Sequence, residues 1–412
     1  MSNDIHAIGL DVGTSRVRCI VAEPADDGKL NIIGVGEAES RGMRRGIVTS
    51  TEAVADAIRK AVGEAERVSG LEIESATVNF SGEHFQGENK AGVVAVAGAN
   101  KEISEDDIER AIDSASAMPL QPGWEIVDRL PQEFIIDGQD GIIEPIGMTG
   151  SRLEARVHVV TSPSAGKQNL AKAVERAGLD IEQSVLEPLA AAESSITDDD
   201  REYGCAVVNF GAELTDLTIY TRGAVQHTAV FPFGSTHFTK DIAVGLRVSI
   251  PQANEIKHDF GCVAGFLLDD DERHEVIEIL PVGRSEKRGL SKEILADIMQ
   301  PRAVELLQHI ARETRKVPLQ ISSGVVLTGG GSMVRGLCEI AEQVFDAPTR
   351  LGFPEKHLFG GLIEQVQTPA WAVACGLASF SYRSALRDEN SHGRGTVRRV
   401  ADWFDGLRKK IK

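Results

Sequence analysis

The sequence predicts a two-lobed α/β protein built on a duplicated domain. Two segments about 195 residues apart, at 5–22 and 205–221, share the order strand, glycine-containing turn, strand. A third apolar run, GVVLTGGG at 324–331, ends in a glycine triplet. A chain of 412 residues is also too long for one simple core. The repeat and the length together favour two related lobes.

The first lobe is predicted to begin with a hairpin. Apolar runs at 5–10 and 16–22 flank the turn DVGTS, and a third strand follows at 30–35. Residues 51–69 carry apolar side chains at helical spacing, and 76–81 is predicted to be a further buried strand. This succession of strands and a helix is typical of an α/β domain.

The second lobe is predicted from the strands 205–210 and 217–221 and from a helix at 336–345, after the glycine triplet. Residues 84–162 interrupt the repeat. They combine short strands with one helix at 104–117, whose first residue is a serine suited to capping. Their length and composition indicate a small α+β insertion.

Composition excludes several classes of protein. The formal net charge of −18 argues against nucleic-acid binding. The five cysteines are scattered and never spaced C-x-x-C, which favours buried thiols in a reducing cytoplasm over disulfides or a zinc site. We expect no signal peptide, because the first residues lack a basic region followed by an apolar stretch. No window approaches the ~20 apolar residues of a membrane-spanning helix.

The segment 396–412, TVRRVADWFDGLRKKIK, contrasts with this acidic body. From residue 394 onward seven basic residues stand against two acidic ones, a local net charge of +5. The apolar residues recur at three- and four-residue steps, so they share one helical face opposite the basic residues. This pattern predicts a helix that lies on anionic lipid. The residues predicted to contact the membrane are Val397, Val400, Trp403, Phe404, Leu407, Arg408, Lys409, Lys410 and Ile411.

The alternative is that this helix packs on the body or binds a partner helix. The polar, glycine-containing segment before it, 384–395, instead favours a tether. Ordering a free tail opposes lipid binding. One tail should therefore bind reversibly, and several tails on one assembly should bind firmly.

The turn DVGTS has the composition of a phosphate-binding loop. Asp11 would hold a hydrated Mg²⁺, and Gly13 would let the backbone approach a phosphate. The hydroxyls of Thr14 and Ser15 would donate hydrogen bonds to phosphate oxygens. Because D-x-G turns are common, this motif alone is weak evidence for phosphate binding. The specificity of the prediction comes from two further motifs.

Two companion motifs lie further along the chain. LTGGG at 327–331 offers three glycines against which a flat ligand can lie. EPLAAA at 187–192 begins a helix with Glu187 at its mouth, where a carboxylate can orient a water molecule. Asp11 and Glu187 are therefore the candidate catalytic residues.

These elements in this order resemble the nucleotide site of the actin/Hsp70/sugar-kinase superfamily. DVGTS resembles its first phosphate loop, NFGAELTD at 209–216 its second, and LTGGG its adenosine motif. EPLAAA and AVACGLA (372–378) resemble its two connecting helices. The resemblance implies an actin-like ATPase fold, a duplicated ribonuclease-H-like domain in two lobes, which binds ATP and Mg²⁺.

A narrower resemblance is to the FtsA family of bacterial cell-division proteins. Residues 129–162 resemble the family's hallmark insertion, and SRGMRRGIVTS (40–50), KAVERAGLDI (172–181) and the basic tail agree with it. The resemblance covers nearly the whole chain. It implies an FtsA-type inserted small α+β subdomain, a membrane-targeting helix, ATP-dependent filaments, and capture of the tail of the tubulin-like protein FtsZ.

The resemblance also implies roles for individual residues. In the helix that lines the adenine ring, Asn254 could bond a ribose hydroxyl, although a simple surface role is an open alternative. The implied nucleotide-binding residues are Asp11, Gly13, Thr14, Ser15, Arg16, Gly211, Thr215, Asp216, Asn254, Lys257, Gly329, Gly330 and Gly331. The implied contacts of the FtsZ tail are Arg288, Lys292 and Arg302, each of which could alternatively be a solvated charge.

The second phosphate loop departs from the superfamily pattern D-x-G-G-G-T-x-D. Asn209 stands for the first aspartate, Ala212 and Glu213 for two glycines, and Leu214 for the hydroxyl position. The lost carboxylate weakens support for Mg²⁺ and for the attacking water, and Glu213 would repel a triphosphate unless it points away. We expect nucleotide binding with slow hydrolysis or none.

The family pattern divides the chain into predicted subdomains. These are IA (1–83, 163–198 and 371–385), IC (84–162), IIA (199–240 and 314–370), IIB (241–313, which would dock the FtsZ tail), a flexible linker (386–395) and the membrane helix (396–412).

The sequence therefore predicts a cell-division protein that binds ATP, polymerises at the cytoplasmic face of the inner membrane at the septum, and anchors FtsZ filaments. Other division proteins would bind through the insertion. Two alternatives stay open. A PilM-like pilus assembly adaptor shares the fold and the insertion but generally lacks the basic terminal helix. A sugar-kinase-type enzyme would need a catalytic base and no lipid-binding tail.

Overall fold

The computed structural model describes residues 5–98, 100–317 and 321–390. Its strands are β1 (Ala7–Val12), β2 (Arg16–Pro24), β3 (Leu30–Glu39), β4 (Met43–Arg44), β5 (Ile47–Val48), β6 (Ser75–Phe80), β7 (Gln86–Ala95), β8 (Trp124–Ile136), β9 (Gln139–Ile142), β10 (Arg152–Pro163), β11 (Asp180–Leu186), β12 (Cys205–Phe210), β13 (Thr215–Thr221), β14 (Ala224–Phe231), β15 (Val276–Ile279), β16 (Arg288–Ser291), β17 (Val325–Thr328), β18 (Thr349–Leu351) and β19 (Phe359–Gly361). Its α-helices are α1 (Thr51–Ser69), α2 (Glu105–Ser116), α3 (Ser164–Ala177), α4 (Glu187–Ser195), α5 (Asp198–Tyr203), α6 (Thr236–Leu246), α7 (Ile250–Phe260), α8 (Asp270–His274), α9 (Lys292–Thr314), α10 (Leu337–Phe345), α11 (Ile363–Val366) and α12 (Ala372–Asn390).

Two open sheets share one topology. The sheet of lobe I has the order β11-β6-β1-β2-β3-β19, and that of lobe II has the order β14-β13-β12-β17-β18. In each, three consecutive strands are antiparallel, and the first of them pairs in parallel with a later strand, β6 in lobe I and β17 in lobe II. One cluster of buried apolar side chains lies wholly within lobe II, and the cluster of lobe I also takes in Val207 and Val326 of lobe II, so the two lobes are packed together. The predicted duplication of an α/β domain is confirmed.

Helix α1 shows how local sequence sets these elements. Its first turn is capped by Ser50, whose hydroxyl accepts the N–H of Ala53 at 3.4 Å, and it ends at Gly70 in the left-handed conformation. Its buried face includes Val54 and Ile58 at helical spacing, and this face covers the sheet of lobe I.

Several predicted boundaries were wrong by a few residues. Strand β1 ends at Val12, two residues beyond the prediction, because Asp11 and Val12 stay in the antiparallel ladder with β2. Strand β3 likewise continues to Glu39, and β13 begins at Thr215 instead of 217. Helix α12 covers 386–390, which we expected in the linker, because the run from 378 contains no glycine or proline to end it.

The insertion forms its own small subdomain between β6 and α3. Helix α2 packs on an antiparallel sheet of order β7-β10-β8-β9, over a separate core that includes Phe134 and Leu153. Ser104 and Asp107 form a reciprocal capping box at the start of α2, as the serine suggested. The insertion also contacts the edge strand of lobe II, where His158 Nε2 lies 2.9 Å from Thr228 Oγ1.

The two helices that resemble the connecting helices, α4 and α12, cross at very close range. A Cβ atom on Gly376 would lie 1.8 Å from the carbonyl oxygen of Ala190, so only glycine permits this crossing. Further along, Arg383 binds Glu193 at 2.7 Å, which ties α12 to α4. This packing places the first residue of α4, Glu187, at the floor of the cleft between the lobes.

None of the helices in the described ranges is long and apolar enough to cross a membrane. The predicted membrane helix at 396–412 lies outside the described residues, as does the linker from 391 onward.

Candidate nucleotide site

Two equivalent hairpins face the cleft, one from each lobe. In the β1–β2 hairpin Asp11 pairs with Arg18, and the N–H of Gly13 donates to the carbonyl of Arg16 at 3.0 Å. In the β12–β13 hairpin Asn209 pairs with Asp216, and the N–H of Gly211 donates to the carbonyl of Leu214 at 2.9 Å. The turns 13–16 and 211–214 therefore share one geometry.

The tips of both turns are suited to anions. At the first tip Ser15 is exposed and Thr14 half-buried; the corresponding residues of the second are Glu213 and Ala212, both half-buried. No acceptor for the backbone N–H groups at these four positions is present among the described residues. Free N–H groups in a tight turn form the kind of concavity that binds phosphate.

Three carboxylates lie at the floor of the cleft, with Asp11 and Asp216 buried and Glu187 half-buried. Burial raises the pKa of Asp11 to about 7, helped by the negative charge of Glu187 and opposed by Arg18, whose guanidinium is 3.9 Å away. Burial also raises the pKa of Glu187 to about 8, helped by Asp216, and the pKa of Asp216 to about 7. Desolvated carboxylates that repel one another favour a bound cation or a shared proton.

The geometry suits a cation bound through water. No group of three or more ligating side chains close enough to hold a metal ion directly occurs in the described part of the chain. Glu187 and Asp216 instead meet through the amide of Asn209, and Asp11 faces Arg18. Their charge and burial fit a hydrated Mg²⁺, as predicted for Asp11, and do not fit direct coordination by several protein ligands.

Asn209 bridges two of these carboxylates. Its Nδ2 donates to Glu187 Oε1 at 2.9 Å and to Asp216 Oδ2 at 3.1 Å, which an aspartate could not do. Asn209, where the superfamily pattern has aspartate, therefore supplies a hydrogen-bond donor in the middle of the acidic cluster. Because Glu187 begins α4 in lobe I, the Asn209 amide also joins the two lobes.

Two residues that sequence analysis missed complete the floor. Asn79 accepts the N–H of Val12 at 2.7 Å and donates to Glu187 Oε2 at 3.1 Å. Ser81 donates to Asp216 Oδ1 at 3.0 Å, across the cleft. Both stand at or just beyond the carboxyl end of β6, a strand that runs parallel to β1. Polar residues at that end were the signal that could have found them.

Glu213 points toward lobe I. Its carboxylate accepts the backbone N–H of Arg45 at 2.9 Å, at the tip of the β4–β5 hairpin. The next N–H of that tip, from Gly46, donates to Thr14 Oγ1 at 3.4 Å. This short hairpin therefore touches both phosphate loops, and sequence analysis gave it no role beyond the family resemblance.

Other predicted nucleotide contacts are partly engaged within the protein. The hydroxyl of Thr215 donates to the carbonyl of Phe233 at 2.9 Å. Lys257 is buried, donates to Thr239 at 3.1 Å, and has its pKa lowered by burial to about 8, whereas Asn254 on the same helix is exposed. Arg16 is exposed at the first turn.

The glycine triplet follows β17 and enters a one-turn 3₁₀ helix, Gly330–Met333. Gly329 has a φ of 82°, and a Cβ there would lie 2.5 Å from Asn209 Oδ1, so this position requires glycine. Gly330 is exposed and Gly331 is buried. The triplet therefore packs directly behind the second phosphate loop.

The cations predicted to meet the FtsZ tail lie in the subdomain formed by α6 to α9, and each has an internal partner. Arg302 binds Asp241 at 2.6 Å and Glu305 at 2.6 Å. Lys292 binds Glu275 at 3.1 Å. Arg288 donates to the carbonyl of Leu246 at 3.2 Å. A partner peptide would have to compete with these contacts.

Two duplicated lobes that present paired glycine hairpins to a common cleft define an actin-like ATPase fold. Solved structures with this fold include a PilM–PilN type IV pilus biogenesis complex, with a TM-score of 0.67 and 19% identity over 91% of this chain and 98% of the solved one. Another is MreB5 of Spiroplasma citri bound to ADP, with a TM-score of 0.56 and 13% identity over 94% of this chain and 98% of that one.

Sequence comparisons show the family. Residues 82–161 match the family described as "SHS2 domain inserted in FTSA", and residues 206–376 match "Cell division protein FtsA". Cell division protein FtsA of Neisseria meningitidis serogroup B is 37% identical, over 96% of this chain and 97% of its own. FtsA of Escherichia coli K12 is 33% identical, over 98% and 97%. The chain belongs to the FtsA family of bacterial cell-division proteins, and the inserted subdomain is the FtsA-type insertion that its sequence predicted.

Proposed function

We propose that this chain is an ATP-binding actin-like adaptor that polymerises on the cytoplasmic face of the inner membrane at the division septum and tethers FtsZ filaments there. Nucleotide binding is supported by one observation: two equivalent glycine hairpins, one from each lobe, lie above Asp11, Glu187 and Asp216. Such an arrangement offers backbone donors to phosphates and carboxylates to a hydrated cation.

Each part of the site has a proposed task. Gly13 and Gly211 let the two backbones approach the phosphates, and Thr14 and Ser15 donate from the first loop. The glycines at 329–331 support the adenosine, with Lys257 and Asn254 on the helix beside it. A bound Mg²⁺ would neutralise phosphate charge, and Asp11 would hold it through water.

Hydrolysis is proposed to be slow. A general base needs a free oxygen toward the attacking water. Both carboxylate oxygens of Glu187 already accept amide hydrogens, from Asn79 and Asn209.

Assembly and partner binding complete the proposal. We infer self-association from the family to which the chain belongs, and the tail 396–412 would gain membrane affinity from each further copy in an assembly. The FtsZ tail would dock near Arg288, Lys292 and Arg302, exchanging their internal partners for its own acidic groups, and further division proteins would use the insertion.

The test is co-pelleting with liposomes that contain anionic phosphatidylglycerol, with and without purified FtsZ. We compare the full chain with a truncation after Asn390, which keeps α12 whole. The full chain should carry FtsZ into the pellet and the truncation should leave it in the supernatant.

Point variants sharpen this first prediction. Trp403→Glu and Phe404→Glu place a charge on the apolar face and should abolish pelleting with liposomes while nucleotide binding stays unchanged. Trp403→Phe keeps an apolar ring and serves as the control. Unchanged membrane recovery of both glutamate variants would contradict the anchor. If the full chain pellets with the liposomes but FtsZ stays in the supernatant, only the assignment of FtsZ as the partner is contradicted.

A further inference from the structure

The second phosphate loop carries a negative charge that the first lacks, and we propose that Glu213 makes this site select a nucleoside diphosphate over a triphosphate. The inference rests on the nucleotide binding proposed above and specifies the ligand class of that same site. The observation behind it is the position of the Glu213 carboxylate relative to the two phosphate loops.

The contacts of the β4–β5 hairpin locate that carboxylate. Glu213 Oε2 accepts the N–H of Arg45 at 2.9 Å, and the N–H of Gly46 donates to Thr14 Oγ1 at 3.4 Å. Because adjacent residues are only ~3.8 Å apart, the carboxylate lies within about 10 Å of the Thr14 hydroxyl. The charge therefore lies against the one hairpin that contacts the tips of both loops.

The backbone that carries Glu213 is fastened to lobe II. The carbonyl of Gly211 accepts the N–H of Ser235 at 3.0 Å. The carbonyl of Ala212 accepts both the N–H of Thr236 at 2.9 Å and its hydroxyl at 2.8 Å. The loop thus holds Glu213 at its tip, and only rotation of the side chain can withdraw the charge.

The two nucleotides meet this charge differently. A triphosphate extends one more anionic group into the gap between the loops, where like charges repel in a partly desolvated space. A diphosphate ends one group earlier. The second loop offers no free hydroxyl hydrogen to offset the repulsion, because Ala212 and Leu214 have none and the hydroxyl of Thr215 donates to the carbonyl of Phe233 at 2.9 Å. The Arg45 guanidinium is already bound to Glu83 at 3.2 Å. To admit a triphosphate, Glu213 must release Arg45 and turn outward.

The test compares the affinities of the full chain for Mg·ADP and Mg·ATP by calorimetric titration at fixed ionic strength. We expect ATP to bind about tenfold more weakly than ADP, which is about 1.4 kcal/mol. Glu213→Gln keeps an oxygen for the Arg45 N–H and removes the charge, so the ratio of the two affinities should approach one. Glu213→Gly, which restores the superfamily residue, should act in the same direction and serves if the first variant is unstable.

The control is Glu364→Gln, which removes one negative charge from an exposed helix where Glu364 pairs with Lys356 at 2.8 Å. It should keep the wild-type ratio. If the ratio of ADP affinity to ATP affinity is the same in the wild type and in both Glu213 variants, only the proposed selectivity is wrong. Binding of neither nucleotide to any of these proteins would overturn the nucleotide part of the proposed function as well.

Discussion

The β1–β2 and β12–β13 hairpins have the same backbone and different chemistry. Their cross-strand registers correspond residue by residue, with Asp11 opposite Arg18 in one and Asn209 opposite Asp216 in the other. A glycine closes the turn in both with a hydrogen bond of 3.0 or 2.9 Å. The ladder and the turn glycine therefore preserve the shape of the loop even where the hydroxyl side chains at its tip are absent.

The difference lies in what each hairpin offers a ligand. The first presents the hydroxyls of Thr14 and Ser15, and Arg18 offsets the charge of its aspartate. The second presents Ala212 and Glu213, and its Asn209 bonds to carboxylates of both lobes. The side-chain hydroxyls are therefore concentrated on the hairpin of lobe I, and the second hairpin contributes contacts between the lobes.

The largest expected effect is a loss of ADP affinity when the hydroxyl donors of the first hairpin are removed, so that it resembles the second. Thr14→Ala with Ser15→Ala should weaken ADP binding by about a hundredfold, because hydrogen bonds to charged groups contribute about 1.5–3 kcal/mol each. Titration of ADP into the purified variant measures this loss.

The matched control is Ala212→Thr, which adds a hydroxyl at the equivalent position and should leave affinity unchanged or tighter. Thr14→Ser, which keeps the acceptor for the Gly46 N–H, should bind almost normally. Undiminished affinity in the double variant would show that backbone groups alone hold the phosphates.

A smaller effect, on stability and on ATP hydrolysis, should follow from placing the superfamily's aspartate at position 209 of the second hairpin. Asn209→Asp removes both donor contacts and adds a carboxylate, so stability in EDTA should fall by about 1–3 kcal/mol. If Mg²⁺ geometry limits turnover, phosphate release should rise about tenfold, which requires about 1.4 kcal/mol of the barrier. Melting curves and a phosphate-release assay measure the two quantities.

Asn209→Ala separates these effects, because it removes the donors without adding charge. It should lose stability and gain no hydrolysis. If the Asn209→Asp protein hydrolyses ATP no faster than the wild type, then Ala212, Glu213 or Leu214 limits the hydrolysis rate instead.

The smallest effect should be a pH dependence of the nucleotide-free protein. The folded-state pKa values of Asp11 and Asp216, about 7, lie above the ordinary value of 3.8, so the folded state binds more protons than the unfolded one between these values. Stability from this cluster is therefore present at low pH and lost as the pH rises from about 4 to 8. In EDTA, the melting temperature should be several degrees lower at pH 8 than at pH 6.

Asp216→Asn removes one titrating group, keeps an oxygen for Ser81, and should flatten this slope. Added Mg²⁺ with ADP should flatten it too, because a cation stabilises the ionised form. A wild-type melting temperature that rises between pH 6 and pH 8 would contradict the cluster's role.

Local pattern was enough to predict much of the site. The predicted hairpins, the glycine triplet and the acidic residues Asp11, Glu187 and Asp216 all face the cleft, because each belongs to a motif of a few neighbouring residues. Asn79, Ser81 and Arg45 were missed because their partners are distant in sequence, and Arg45 meets Glu213 across 168 positions. No local periodicity reports such a pairing.

Periodicity and turn residues act over short stretches of chain, so the duplicated α/β topology, the insertion and the amphipathic pattern of 396–412 could be predicted from the sequence. Which polar groups meet between the lobes depends instead on how distant segments pack. The tertiary structure placed the Asn209 amide between two carboxylates and turned Glu213 toward Arg45. It also set the pKa values, because desolvation exists only once the lobes have packed together.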